Sequence, residues 1–267
     1  MAAVHDFAGL LAVVTGAGSG IGRELVAQLA GSGARVAACD IRRRAVSRTR
    51  TEVLKRWPHA HVTAHESDVS DQRAVTRLRS EVEAEHGTAL HVLVNNAGVV
   101  GGASFVADEP AEWERTFEVN WHGTYLCTRA FLPMLMTAEQ GVIVNVASVN
   151  ALWATLGPGT AHTAYSTSKF AIRGFTESLI GDFAVHAPHL SAVLVLPGHV
   201  RTAMPAPPPS FRRSLGSQLG GYSPTSASDA ATQILDGVRA GHWRIVVGED
   251  ARIIDERVRD DPWTAYS

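Results

Sequence analysis

Apolar residues in this chain gather into short unbroken runs, and between the runs they recur every three or four positions. The runs at 10–14 (LLAVV), 34–39 (ARVAAC), 90–94 (LHVLV), 141–145 (GVIVN), 190–196 (LSAVLVL) and 243–247 (WRIVV) are short and rich in valine. They fit strands covered on both faces, as in a parallel sheet. The segment 59–65 (HAHVTAH) alternates and fits one more strand. Helical spacing fills the gaps at 23–30, 71–86, 113–135, 165–183 and 230–240, with Pro133 expected to bend or end the third of these. Strand and helix alternate with no repeat and no linker, which predicts an α/β fold in a single doubly wound domain over 1–267. The stretch 203–228 departs from the pattern. It is rich in proline, glycine and serine and too long for a routine connection, so it reads as a substrate-binding lid.

Composition narrows the class without naming a chemistry. A hydrophobic fraction of 45% and a charged fraction of 19% describe an ordinary globular protein, and a net charge of −2 offers nothing to nucleic acid or an acidic membrane. Cys39 and Cys127 sit in apolar runs and are expected in the core rather than in a disulfide framework. No apolar run is long enough to span a membrane, and residues 1–6 do not begin a signal peptide, so the expected location is cytoplasmic.

The chemistry lies at the ends of the runs. After the first comes Thr15-Gly16-Ala17-Gly18-Ser19-Gly20-Ile21-Gly22, a glycine turn between strand and helix that lets backbone amides approach a pyrophosphate. The second run ends in Asp40, about twenty residues on, where dinucleotide folds place a ribose-binding carboxylate. A carboxylate there repels a 2′-phosphate, which favours NAD over NADP, although Arg42, Arg43 and Arg44 follow closely. Asp68-Val69 closes the third strand and is placed to flank an adenine, and Asn95-Asn96-Ala97-Gly98 closes the fourth. The histidines of 59–65 fit the alternation of a strand, and no acidic or cysteine cluster accompanies them in sequence, so no metal is expected.

The most specific signal is Tyr165 and Lys169, four apart and on one face of a helix, with Ser148 at the end of the preceding strand. A lysine cation beside a phenol favours the phenolate and makes tyrosine a usable proton carrier, while the serine can hold a substrate oxygen. Tyrosine–lysine pairs at this spacing also occur on plain amphipathic helices. It is the company of the other motifs that gives this pair its meaning.

Taken in order along one chain, these motifs resemble the short-chain dehydrogenase/reductase family over essentially the whole length; Asn120 and Pro197-Gly198 complete the match. The resemblance implies a Rossmann fold with a seven-stranded parallel sheet flanked by helices. It implies Tyr165 as general acid/base, Lys169 holding the ribose and tuning Tyr165, Ser148 orienting the carbonyl, and Asn120 supporting a proton-relay water. It implies a nicotinamide cofactor held by Gly16, Ser19, Gly20, Ile21, Gly22, Asp40, Asp68, Val69, Asn96, Ala97 and Gly98. Tyr165, Lys169, Pro197, Gly198, Val200 and Thr202 complete that expected set, the last two at the nicotinamide amide. A homo-oligomer, tetramer or dimer, is implied as well. The segment between Ser148 and Tyr165 is a few residues longer than usual for the family.

The function expected is NAD-dependent interconversion of a hydrophobic secondary alcohol and its ketone. The alternatives are an NADPH-dependent reductase of acyl-carrier-bound 3-oxo groups, against which Asp40 argues, and a nicotinamide-binding redox sensor, which would not need all four catalytic residues. Two segments, 149–164 and 203–228, leave from the carboxyl ends of strands and are expected to wall the pocket, with Trp153, Leu156, Met204, Phe211 and Leu215 as apolar contacts.

Overall fold

The apolar runs pair side by side in the computed structural model, which describes residues 4–155, 161–202 and 223–262. Strand β1 (Leu11–Val14) lies between β2 (Arg35–Asp40) and β4 (Val92–Asn95), and β3 (Val62–Glu66) forms one edge. The sheet continues through β5 (Gly141–Val146) and β6 (Leu190–Pro197) to the far edge. A two-stranded ribbon, β7 (Val200–Arg201) with β8 (Thr225–Ser226), stands apart, and β9 (Arg244–Val247) is the far edge strand. The order of the large sheet is β3-β2-β1-β4-β5-β6-β9, with every pairing parallel. Order reverses between β1 and β4, and in such sheets a crevice opens there beyond the carboxyl ends of the strands.

Successive residues of a strand face opposite sides, and the core divides accordingly. Ala12, Val14, Val36 and Ala38 pack with Leu25 and Leu29 of α1 (Gly20–Gly31), Val46 of α2 (Arg43–Arg56) and Ile234 of α7 (Ala227–Arg239). Leu11, Val13, Ala37 and Cys39 face the other way. They pack with Leu78 of α3 (Gln72–His86), Phe131 of α5 (Gly123–Met136) and Phe183 of α6 (Thr163–His186). Both cysteines are free and buried, as their apolar runs suggest. Burial pushes the Cys127 thiol up to about 12 and raises that of Cys39, so neither is a thiolate at neutral pH.

Two elements and one side chain differ from the sequence reading. The helix expected over 113–135 is interrupted: α4 (Pro110–Phe117) passes through a π turn at Glu118–His122 into α5, which carries Pro133 inside and stops three residues later at Met136. A helix that the hydrophobic pattern did not predict, α8 (Glu249–Asp260), follows β9. Its sequence is dominated by charge, and its apolar side is narrow. Trp153, expected on a pocket wall, is buried instead, packed with Val149, Ala251 and Ile254 between the loop after β5 and α8. The other proposed wall residues, Leu156, Met204, Phe211 and Leu215, lie outside the described residues. Among the described residues no helix is long and apolar enough to cross a membrane.

Candidate active site

The glycine turn closes tightly because it has no side chains to accommodate. Gly16 and Gly20 adopt positive φ (63° and 54°), a region open to glycine at little cost. A Cβ on Gly22 would stand 2.3 Å from the Gly16 carbonyl oxygen, and one on Gly16 would stand 2.8 Å from Ala97 Cα. Ser19 is the extended residue before α1, and its side chain makes no cap bond, which leaves the first N–H groups of the helix without a side-chain acceptor from Ser19. Ile21 packs its side chain against the core beneath. This is a cradle for an anionic group, and a nicotinamide dinucleotide fits it.

The neighbouring turn is latched to this one. Thr15 Oγ1 accepts the N–H groups of Asn96 and Ala97, both at 3.0 Å, and Asn96 Nδ2 donates to the Thr15 carbonyl at 2.9 Å. Thr15 therefore fixes the gap between the two turns, a role the sequence reading did not assign. Asp40 is buried at the end of β2, where Oδ2 accepts the Gly18 N–H and Oδ1 the Arg42 N–H, each at 2.9 Å. Arg42 Nε lies 3.5 Å from the same carboxylate, while its side chain remains 63% exposed. Asp68 Oδ1 accepts from both the backbone and the hydroxyl of Ser70, and Val69 is buried against Gly123.

On the catalytic side, Ser148 is the extended residue that opens a 3-10 turn, Val149–Ala151, at the end of β5. Its hydroxyl lies close enough to the Tyr165 phenol to pull that group's pKa down. Lys169 lies one turn further along α6; its Nζ donates to the Val146 carbonyl at 3.0 Å and sits 5.4 Å from the centroid of the Tyr165 ring. Burial lowers the lysine to about 8. For Tyr165 the balance differs from the sequence expectation. Burial raises the phenol above its ordinary value, and the Ser148 hydrogen bond opposes that rise only in part. Tyr165 thus holds its proton at neutral pH in the free protein.

Asn120 is fully buried in the π turn. Its Nδ2 donates to the Val99 carbonyl and to Ser168 Oγ, both at 3.0 Å, and its Oδ1 accepts the Val99 N–H at 2.8 Å. With both side-chain N–H bonds committed, Asn120 braces the Asn96–Val99 turn against α6. A π turn widens a helix at one residue and often marks a functional position. Gly98 packs beside it, 3.2 Å from the Asn120 oxygen by a notional Cβ.

The last wall comes from the end of β6. Gly198 donates to the Val247 carbonyl at 2.9 Å, and His199 donates its N–H to Asp250 Oδ2 at 2.6 Å. Asp250 is buried, and burial raises its carboxyl. Val200 enters β7, and Thr202 meets the glycine turn, its Cγ2 at 3.0 Å from a notional Cβ on Gly20. The elements that carry the expected site residues therefore meet around one crevice. Asp250 and Asn150 were missed by the sequence reading. Asn150 makes a 3.3 Å hydrogen bond with Ser148 Oγ and a 3.2 Å one with Ser166 Oγ, and its only sequence cue is a place two residues after the serine.

Residues 10–211 match the family model described as short chain dehydrogenase. The Mycobacterium tuberculosis protein named as the oxidoreductase SadH is 33% identical over 264 residues, covering 96% of this chain and 92% of that one. The 2-(R)-hydroxypropyl-CoM dehydrogenase of Xanthobacter autotrophicus is 33% identical over 266 residues, 96% of this chain and 98% of its own. A short-chain dehydrogenase/reductase from Burkholderia phymatum, solved in complex with NAD, superposes with a TM-score of 0.82 at 27% identity, covering 98% of this chain and 96% of that one.

Proposed function

The chain belongs to the short-chain dehydrogenase/reductase family, and from that premise we propose that it interconverts a hydrophobic secondary alcohol and its ketone with NAD. The observation that carries the proposal is the Ser148–Tyr165–Lys169 group, in which Ser148 lowers the phenol and Lys169 lies over its ring at the carboxyl end of β5. A bound nicotinamide supplies the hydride chemistry. The chain supplies position and protons. Gly16, Gly20, Gly22 and the α1 N-terminus would hold the pyrophosphate, Asp40 the adenosine ribose, Asp68-Val69 the adenine, and Lys169 the other ribose. Asn96, Ala97, Gly98, Pro197, Gly198, Val200 and Thr202 would frame the remainder.

Ser148 would hold the substrate oxygen, and Tyr165 would exchange its proton with it. In reduction, the phenol already carries the proton that the nascent alkoxide takes, which suits the raised value set by burial. In oxidation the alcohol gives its hydroxyl proton to a Tyr165 that has first lost its own, and the Lys169 cation over the ring favours that ionised form. The hydroxypropyl group in the name of the Xanthobacter relative supports a secondary alcohol as the substrate class.

Steady-state turnover of a panel of secondary alcohols and ketones, with each cofactor, tests the reading. Turnover with NAD is expected; none with either cofactor would overturn it. The NAD preference rests on Asp40, buried where a 2′-phosphate would meet its charge. Asp40→Ala is expected to narrow or reverse the NAD:NADP ratio of kcat/KM, since Arg42 is then free to meet the phosphate. An unchanged ratio would leave Asp40 a purely structural acceptor for Gly18 and Arg42.

A further inference from the structure

On the edge of the sheet, four strands across from β5, a second polar cluster is built that the chemistry above does not use. Thr63 and His65 pair with Ala37 and Cys39, so their side chains share the face covered by α3. His61, two residues before Thr63, sets its ring 4.7 Å from that of His86, tilted by 31°, at the end of α3. The helix brings Glu81 and Glu85, one turn apart, and His86 beside them. The acidic partners absent from the neighbourhood of these histidines in sequence thus arrive from twenty residues further on.

We propose that His65, Glu85 and His86 form a binding site for a divalent first-row transition ion, zinc being the best match. Each offers a ligand atom within 4.8 Å of the other two. Two imidazoles with one carboxylate suit zinc and its neighbours better than magnesium or calcium, which prefer oxygen alone.

The hydrogen bonds around the cluster run in one direction. An ionised carboxylate only accepts, so Glu81 Oε2 takes the Nδ1–H of His65 at 2.9 Å. His65 Nε2 then carries a lone pair and accepts the Thr63 hydroxyl at 2.8 Å. Thr63 Oγ1 in turn accepts the Nε2–H of His86, also at 2.8 Å. The chain of donors ends on His86 Nδ1, a lone pair that is buried and has no partner. A bare acceptor in a side chain only 5% exposed costs stability unless something fills it. A metal ion does so without needing a donor hydrogen. The Glu81–His65 bond is also the outer-shell contact that orients a histidine ligand, and Nε2 would meet the ion in place of the Thr63 hydroxyl it now accepts. Arg35 adds a positive charge at this corner through its 2.7 Å bond to the His86 carbonyl, and the carboxylates of Glu81 and Glu85 offset it. The ion would staple the end of α3 to the edge strand.

Chelator-treated full-length protein titrated with zinc chloride by calorimetry tests the site. One equivalent is expected to bind, with a rise in thermal midpoint, and cobalt(II) in its place should show visible absorption of a nitrogen–oxygen site. Glu85→Gln, at an exposed position, is expected to weaken zinc about 10-fold or more and to abolish the thermal shift while leaving turnover unchanged. His86→Asn should do the same; if that buried variant fails to fold, Glu85→Gln decides alone. Absence of a one-to-one event at micromolar zinc, or equal affinity in parent and Glu85→Gln, would overturn the proposal and assign any binding to other histidines.

Discussion

Removing a single oxygen from Tyr165 separates its two proposed contributions. Tyr165→Phe keeps the ring over which Lys169 Nζ sits, and loses only the transferable proton and the bond to Ser148. Cofactor Kd is expected to change little, while kcat falls by about 10²–10⁴-fold; near-normal turnover would dismiss the phenol as the proton carrier. Lys169 carries a different signature. Its ordinary value of 10.5 is lowered by burial to about 8, so the ammonium is present below that pH and lost above it. If the cation holds the ribose, cofactor affinity is strongest near pH 7 and declines as pH climbs through about 8. Fluorescence titration across that range should show the decline in the parent and a flat, weak profile in Lys169→Met. A flat, tight profile in both would remove the charge from the binding scheme.

Elements rather than single residues decide how close the cofactor cradle comes to the sheet. The β1–α1 turn is so compact that a methyl group at Gly22 meets backbone, the Gly16 carbonyl at 2.3 Å, which cannot swing aside. Gly22→Ala is therefore expected to cost about 1–3 kcal/mol, by the scale of overpacked positions. A lower thermal midpoint and weaker cofactor binding should appear together; loss of neither would mean the turn has slack. That turn was legible in the sequence because strand, glycines and helix are contiguous, whereas Tyr165 and Lys169 stood out only in the company of motifs spread along the whole chain. The π turn at Asn120 was not legible, since its cause is an amide bonded to Val99 and Ser168, which lie outside its own helix. Helix α8 escaped because its few apolar residues, such as Ile254 and Val258, sit among many charges and acquire meaning only against the loop after β5. Trp153 was misplaced on the same account: its neighbour in space, Ala251, is about a hundred residues away in the chain.

Across the whole molecule, α5 and α6 leave Tyr125 and Phe170 exposed, at 40% and 37%. Together with the family expectation of a homo-oligomer, these are the surfaces on which a second copy is expected to pack. Light scattering at micromolar concentration should report a dimer or tetramer, and a monomer would contradict it. The grip of Asp250 on the turn after β6 bears on how the molecule comes into being. Tyr165 and Lys169 leave the ribosome well before the chain has supplied β9 and Asp250, and domains form as units during synthesis. Until then Gly198 lacks the Val247 carbonyl and His199 lacks its carboxylate. A nascent chain can therefore carry Tyr165 and Lys169 while the turn after β6 still lacks the contacts that β9 and α8 give it.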